Sequence, residues 1–397
     1  MKNMVHYKAS LLRKQNNEQE RRYLYLVENY LIINKRESLN MIDRKFDLTS
    51  MDCQIKWHYE NNIIKEMMVY NTKYNQRIIY CEKNEILEEL QNKLNGKAYY
   101  RNFKSFYQKL EVIKCHKNVE IMICKNLLTE EIVVAKQVKF PKNKQTDSEH
   151  YSFLLNEAKI HMKLSYNPHQ YLLGASQIFL CDQSIIYIMH HCKGGTLYQY
   201  LIENDLNLPE LVTQEIMRKL LLGLDHLHQL GIMHRDIKLD NIMLLRKNDP
   251  NSITIMDFGY STFIEEERFT FQRCGTPGYI APEILNMNQY NELCDIYSLG
   301  CVFHALLTGK KIYQTPKSTK ASDLLILNRN SIISLSQICN LNAQELLQSM
   351  ISVAKSRPSA TVCLQHSYFE EEQFQIEDLS TQLRQLDFPQ LKNPFKS

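Results

Sequence analysis

The chain has 397 residues, room for two or three domains with separate cores, and its 44% apolar share is ordinary for a folded protein. A net charge of +4 argues against a nucleic-acid binder, which carries a basic stripe, and the eleven Cys include no CxxC pair that would suggest a zinc site or a disulfide framework. No run of about 18 apolar residues occurs and the N-terminus lacks a signal-peptide core, so the expectation is a soluble protein with free thiols in a reducing cytosol. The first hundred residues read as short strands. "RRYLYLVENYLIIN" is two strands around a turn at Glu28-Asn29, and "CQIKWHYE", "KEMMVYNT" and "QRIIYCE" follow with the same alternation. In "NEILEELQNKLNG" the period changes: Ile86, Leu87, Leu90 and Leu94 recur at helical spacing, and Gly96 is a stop signal.

Strands closed by one amphipathic helix suggest a small barrel or sandwich. With "YKASLLRK" and "RRYLYL" as its first hairpin, this segment resembles a pleckstrin-homology domain, although Ile86 lies near the place of that family's helical Trp. The resemblance implies a PH-like domain over 1–98 with a phosphoinositide contact through Lys8, Arg13, Lys14, Arg21 and Arg22, since phosphate oxygens take several Lys or Arg donors. Glu18 and Glu20 interrupt that cluster, and a solvated charged hairpin accounts for the same residues. Residues 99–105, within "KAYYRNFKSF", read as a linker. From 106 to 369 strands, a helix, further strands and then mostly helices follow, and 370–397 read as a C-terminal tail with an NPF tripeptide of no specificity.

The chemistry is carried by "GIMHRDIKLDNIML" and "ITIMDFG". Phosphoryl transfer needs cations at the β- and γ-phosphates and a group that orients the acceptor hydroxyl. Asp236 is a carboxylate able to take that hydroxyl's proton, Asn241 and Asp257 offer the hard oxygens that Mg²⁺ prefers, and Lys238 reaches the transferred phosphate. HRDxxxxN followed by DFG is a spaced constellation, and on it the chain resembles the eukaryotic serine/threonine protein kinases. The resemblance implies ATP and Mg²⁺ as cofactors and protein Ser/Thr as substrate. It also implies a pairing of Lys136, at the end of "VVAK", with Glu157 in the helix "FLLNEAKIHMKL". It assigns Glu283 a buried ion pair with Arg357, and Asp295 the task of holding the catalytic loop's backbone. Tyr297 stands where the family has Trp, a swap expected to affect packing alone. Lys238 and Thr276 follow the Ser/Thr pattern.

"IIYIMHHCKGGTL" reads as the strand and hinge that meet adenine, with Met189 at the back of the pocket and Cys192 in the hinge. His190 and His191 are neighbours on extended chain, so their rings diverge and make a poor metal pair. Val119 and Ala135 are expected above the base and Met243 below it.

The anomaly is "VIKCHKNV". Where the family has GxGxxGxV, the three glycine positions hold Val112, Lys114 and Lys117, and only Val119 remains. Glycine lets backbone N–H groups approach phosphate and permits positive φ, which a β-branched residue such as Val112 resists. Since Mg²⁺ and Lys136 supply most of the charge neutralisation, the loop mainly covers the nucleotide, and an active enzyme is expected, with Lys114 or Lys117 near the phosphates. A pseudokinase scaffold, or an adaptor acting through the first domain, are the alternatives. Arg235 would pair with a loop phosphate, for which Thr270 is the nearest hydroxyl before Cys274. The expected fold class is α+β: a two-lobed kinase preceded by a small PH-like β-barrel with a C-terminal helix, cytoplasmic and, through the first domain, peripheral to a membrane.

Overall fold

The computed structural model describes residues 5–370, apart from 16–17, 41, 142–147, 267–272, 287 and most of 314–336. The N-terminal unit holds β1 (Val5–Gln15), β2 (Glu18–Val27), β3 (Tyr30–Asn34), β4 (Arg44–Asp47), β5 (Cys53–Glu60), β6 (Ile63–Asn71), β7 (Gln76–Cys81) and α1 (Asn84–Leu94). Alternation sends Ile55, Trp57, Met67, Val69, Ile78 and Tyr80 into one core, and α1 covers it with Leu87, Leu90 and Leu94. Glu28, at positive φ, makes the tight turn between β2 and β3.

The expected barrel does not close. Among the described residues the strands run β4-β3-β2-β1-β7-β6-β5, and the far edge of β5 is taken by β8 (Tyr99–Tyr100) instead of by β4. Strand β8 lies parallel both to β5 and to β12 (Gln177–Cys181). The sheet then continues through β13 (Ser184–His190), β11 (Ile132–Lys139), β10 (Val119–Asn126) and β9 (Tyr107–His116), giving thirteen strands in one sheet. An open edge at β5 would expose a row of unpaired backbone groups, and β8 covers the start of it, pairing with Gln54 and Ile55.

The segment 99–105, read as a linker, is therefore part of the fold: Tyr99, Tyr100 and Phe103 are buried. Phe179 on β12 sits at the junction, its ring 5.8 Å from Tyr100, 5.6 Å from Phe103, 5.7 Å from Phe106 and 5.8 Å from Tyr107. These rings join a single core that runs from Leu24 and Trp57 to Met122, Ile186 and Ile188. Gly96 does more than stop α1. At φ +71° any Cβ there would come within 2.2 Å of Ser165 Oγ and 2.8 Å of the Ala175 carbonyl, so its lack of a side chain lets the end of α1 press on the second unit.

Helix α2 (Ser148–Tyr166) packs Leu154, Ala158 and Met162 against Ile178, Ile185 and Tyr187 of the sheet. The large lobe is built on α3 (Leu197–Glu203), α4 (Glu210–Gln229), α5 (Pro282–Leu285) and α6 (Leu293–Thr308), with the helices Leu341–Met350 and Ala360–Leu364. Two short pairs, β14 (Ile232–Met233) with β17 (Thr262–Phe263) and β15 (Ile242–Leu244) with β16 (Ile253–Ile255), lie on its upper face. Helix α6 is buried on every side from Cys294 to Leu306, as a helix apolar all round requires. No helix among the described residues is long and apolar enough to cross a membrane.

Truncating Phe179 to Ala removes an aromatic side chain from the shared core and should cost about 3–5 kcal/mol. Urea unfolding followed by far-UV circular dichroism and by Trp57 fluorescence should then show one transition, shifted together in both signals. A Trp57 transition left unmoved by the substitution would mean that the two units are separate.

Candidate active site

The loop after β14 is held by one buried acid. Asp295 of α6 is fully buried, and its carboxylate accepts from the backbone N–H of His234 at 2.8 Å and of Arg235 at 2.7 Å, with His228 Nε2 at 3.0 Å. An unpaired carboxylate here would cost several kcal/mol. Burial alone would raise its pKa, but the hydrogen bond and charge of His228 and the charge of His234 outweigh this and hold it low. Asp295 thus binds two successive backbone N–H groups of this loop. Arg235 adopts φ 67°, a conformation a non-glycine residue keeps only when its surroundings fix it. Its Nε donates to the Tyr260 carbonyl at 2.6 Å and its Nη1 to the Tyr290 hydroxyl at 2.9 Å. Thr270, the candidate phosphate acceptor, lies outside the described residues.

Next to Arg235, Asp236 is gripped from three sides. Its Oδ1 accepts from Thr276 Oγ1 at 2.6 Å, and its Oδ2 accepts from Lys238 Nζ and from Asn241 Nδ2, at 2.7 and 2.8 Å. Lys238 also donates to Thr276 Oγ1 at 2.7 Å. Sequence reasoning named Thr276 for substrate class alone, and its bridge across Asp236 and Lys238 was not visible at a separation of forty positions. The Asn241 amide donates to Asp236 through nitrogen, which leaves its oxygen as a hard ligand of the kind that Mg²⁺ takes.

Asp257 follows β16 at φ 68°. Its Oδ1 lies 2.6 Å from Lys136 Nζ, which is also 2.8 Å from Glu157 Oε1. One ammonium on β11 thus joins a carboxylate from α2 to one from the large lobe. Gly259 borders this cluster, and a Cβ there would sit 3.3 Å from Asp257 Oδ1 and 3.4 Å from Lys136 Nζ. Burial alone would lower the Lys136 pKa, but the charges of Glu157 and Asp257 overcome it and hold the ammonium above its ordinary value. The Lys136 charge in turn keeps Asp257 well below the usual carboxylate range. Glu157, which burial alone would raise, is brought below its ordinary value by Lys136 and His161.

One adenine contact needs correcting. Ala135 is fully buried and faces away from Lys136, opposite Met122 and Ile188 in the core shared with the N-terminal unit. Side chains alternate along a strand, so the residue sharing the Lys136 face is Val134, beside Met189 and near Val119. Met189 and Cys192 are buried, and Met243 is half-buried on β15.

The segment without glycine is a regular hairpin. His116 pairs with Val119, so the turn is Lys117-Asn118, and Lys117 alone takes positive φ, 48°. Val112 lies in extended strand opposite Met122, so the strain foreseen for it does not arise. Register shifts near Ile113 and Leu110 absorb extra residues of β9, and Val112, Lys114 and Lys117 are all exposed.

Elsewhere, the Arg357 guanidinium makes a two-pronged pair with Glu283, at 2.5 and 3.2 Å. The Tyr297 swap gains a hydrogen bond as well as packing, for its hydroxyl lies 2.6 Å from that of Tyr313. The N-terminal cations carry their own acids: Lys8 pairs with Glu37, Lys14 with Glu66, Arg21 with Glu82 and Arg22 with Glu20.

Residues 116–369 match the family model of the protein kinase domain. The chain is 30% identical over 272 residues to probable serine/threonine-protein kinase 2 of Plasmodium falciparum, covering 68% of this chain and 51% of that protein. It is 29% identical over 219 residues to serine/threonine-protein kinase PLK4 of Danio rerio, 54% of this chain and 22% of that one. With a probable serine/threonine-protein kinase of Encephalitozoon cuniculi it shares 36% identity over 162 residues, 41% of this chain and 30% of the other. The chain thus spans about half the length of the first relative and less than a third of the other two.

The charge cluster sets an acid dependence. Glu157 and Asp257 have lower folded than unfolded pKa values, so their pairing stabilises above the unfolded carboxyl range, about pH 4, and is lost as pH falls through the folded values. In Lys136→Met the largest charge opposing burial is gone, only His161 still favours the carboxylate, and burial raises Glu157, which reverses that sign. At pH 7 the variant should be less stable by about 3–5 kcal/mol, chiefly through Glu157, because the Asp257 side chain is 39% exposed. Urea denaturation across pH should show this gap starting to narrow above about pH 4, as Glu157 of the variant takes up its proton, and narrowing further below it as the wild-type pairing is lost. A gap that stays constant down to acid pH would contradict the assignment.

Proposed function

The chain belongs to the protein kinase family, and we propose that it transfers the γ-phosphoryl group of ATP to Ser or Thr hydroxyls of protein substrates. The observation that carries this reading is the Lys136 ammonium, held at once by Glu157 and Asp257. A damaged site would lack one of these partners, and the full set of Lys136, Glu157, Asp236, Asn241 and Asp257 speaks against a pseudokinase scaffold.

The acceptor hydroxyl approaches Asp236, whose carboxylate takes its proton as the new O–P bond forms. The bond from the γ-phosphorus to the bridging oxygen breaks, leaving ADP. Lys238 lies beside Asp236 and faces the charge on the transferring group. Lys136 holds the α- and β-phosphates, and Glu157 keeps that ammonium in place. Mg²⁺, held by Asn241 Oδ1 and the Asp257 carboxylate, would neutralise charge on the β- and γ-oxygens. The Thr276 bridge favours a Ser/Thr substrate class, in line with the names of the relatives.

The hairpin at Lys117-Asn118 is read as a stiff cover for the nucleotide, with Lys114 and Lys117 as its exposed cations. Residues 106–369 form the kinase domain of this reading. Residues 1–98 serve it as a structural extension, because the cations Lys8, Lys14, Arg21 and Arg22 are each neutralised by a carboxylate. The more exposed of these pairs, such as Lys8 with Glu37, are worth only about 0–1 kcal/mol and are easily exchanged, while Arg22 is buried, so these four residues form no preassembled phosphoinositide cradle.

Transfer of labelled γ-phosphate from Mg-ATP to a generic basic protein tests the reading. The wild type should be active and Asp236→Ala slower by about 10²–10⁴-fold, with Mg-ATP still raising the melting temperature of both. No transfer together with no thermal shift by Mg-ATP would overturn it.

A further inference from the structure

His161 is a buried imidazole that the transfer mechanism does not use. It lies one helical turn after Glu157 on α2, with 1% of its surface exposed. Apolar side chains normally fill such a place, because a buried polar ring costs free energy unless both nitrogens are answered. Here the first is answered by backbone: the Ala175 N–H donates to His161 Nδ1 at 3.1 Å. An amide N–H can only donate, so Nδ1 carries no proton and the neutral ring has its hydrogen on Nε2. That N–H faces the Glu157 carboxylate, with Nε2 3.8 Å from Oε1. This is longer than a direct hydrogen bond, and the contact acts as charge against dipole in a site that excludes water.

The same Oε1 is the atom bound by Lys136 at 2.8 Å. It therefore has a donor on two sides, an ammonium and a ring N–H. The imidazole is fixed by two other rings. Tyr187 of β13 lies 4.7 Å from it at a shallow tilt, and Phe258 lies 5.5 Å away, edge-on at 84°. Phe258 is fully buried and directly follows Asp257, and on its other flank it touches the His234 ring at 5.3 Å.

We propose that His161 is a positioning residue: its Nε2–H keeps Glu157 aimed at Lys136, a role beyond filling the space between Tyr187 and Phe258. An aliphatic residue of equal size would fill the space but leave Glu157 oriented by Lys136 alone. The proposal rests on the kinase reading for its consequence in turnover, while its effect on Mg-ATP binding can be read without any transfer.

The two nitrogens can be separated by substitution. In His161→Gln the amide nitrogen stands near the place of Nε2 and keeps a donor toward Glu157, but nothing accepts from Ala175. In His161→Asn the amide oxygen stands near the place of Nδ1 and keeps that acceptor, but the donor is lost. His161→Leu loses both and keeps the apolar bulk. For each protein kcat and the KM for ATP would be measured in the transfer assay, with the melting temperature and its rise with Mg-ATP alongside. The expected result is a loss of about ten-fold in kcat/KM for Leu and Asn, a size fitting one polar contact to a charged group, with Gln recovering most of the rate even where its melting temperature is lower. Rate and stability should thus rank the variants differently. Full activity in Leu would overturn the proposal, and so would rates that follow melting temperature through all three substitutions, since that is what a packing role gives. If the wild type transfers no phosphate while Mg-ATP still raises its melting temperature, turnover drops out as a readout. The proposal then stands or falls on whether Mg-ATP stabilises Gln more than Asn and Leu.

Discussion

The Lys136 ammonium is the constraint on which the other features depend. A charge buried this deeply is tolerable only when paired and hydrogen-bonded. Its two partners come from places with no local reason to meet: Glu157 from α2, and Asp257 from a strand end in the large lobe. Satisfying one side chain therefore sets the position of α2 over the sheet and the position of the segment that carries Asp257. The positive φ of Asp257 accompanies this placement, and Gly259 leaves room beside the pair. Asp295 does the same for the neighbouring loop, holding Arg235 at positive φ so that Asp236 meets Lys238, Thr276 and Asn241.

Seen from this constraint, the loop without glycine is less damaging than its sequence suggests. Glycine is required only where φ is positive or where another backbone comes very close. The hairpin confines positive φ to Lys117 and leaves Val112 extended, which is where a β-branched residue belongs. What changes is mechanical. A ladder paired as far as His116 and Val119 flexes less than a glycine loop, and its cations lie on exposed side chains. Charge neutralisation by Lys136 is untouched, since that residue sits on a different strand of the sheet.

The sequence made legible those features whose signal is local. Strand alternation in "CQIKWHYE" and helical spacing in Leu87, Leu90 and Leu94 are set by the nearest neighbours along the chain, and β5 and α1 occupy those stretches. Catalytic spacing is local too, since Asp236 and Asn241 share one loop. What was hidden depends on pairings between distant positions. Whether β5 meets β4 or β8 is decided by the burial of Tyr99 and Tyr100, and alternation within a strand says nothing of its partner. The misplacement of Ala135 is the simplest example. The motif was visible, but counting by one instead of two along a strand turns a residue to the opposite face. His161 shows a different limit: a His on the apolar side of a helix reads as an irregularity until Ala175, Tyr187 and Phe258 surround it.

The continuous sheet also bears on what the N-terminal unit is for. Strand β11, which carries Lys136, is bordered by β13. Beyond it lie β12 and then β8, which is shared with β5 of the first unit. The two faces of β11 serve different ends: Lys136 points to the cleft, and Ala135 points into the core built with residues of the first unit. A displacement of that core is not isolated by the connecting segment, because Tyr99, Tyr100 and Phe103 anchor residues 99–105 by burial. Close-packed interiors transmit strain rather than dissipating it. The first unit is thus coupled to the catalytic lysine through packed side chains and paired strands, and its contribution to the cleft is mechanical even where its surface cations are neutralised.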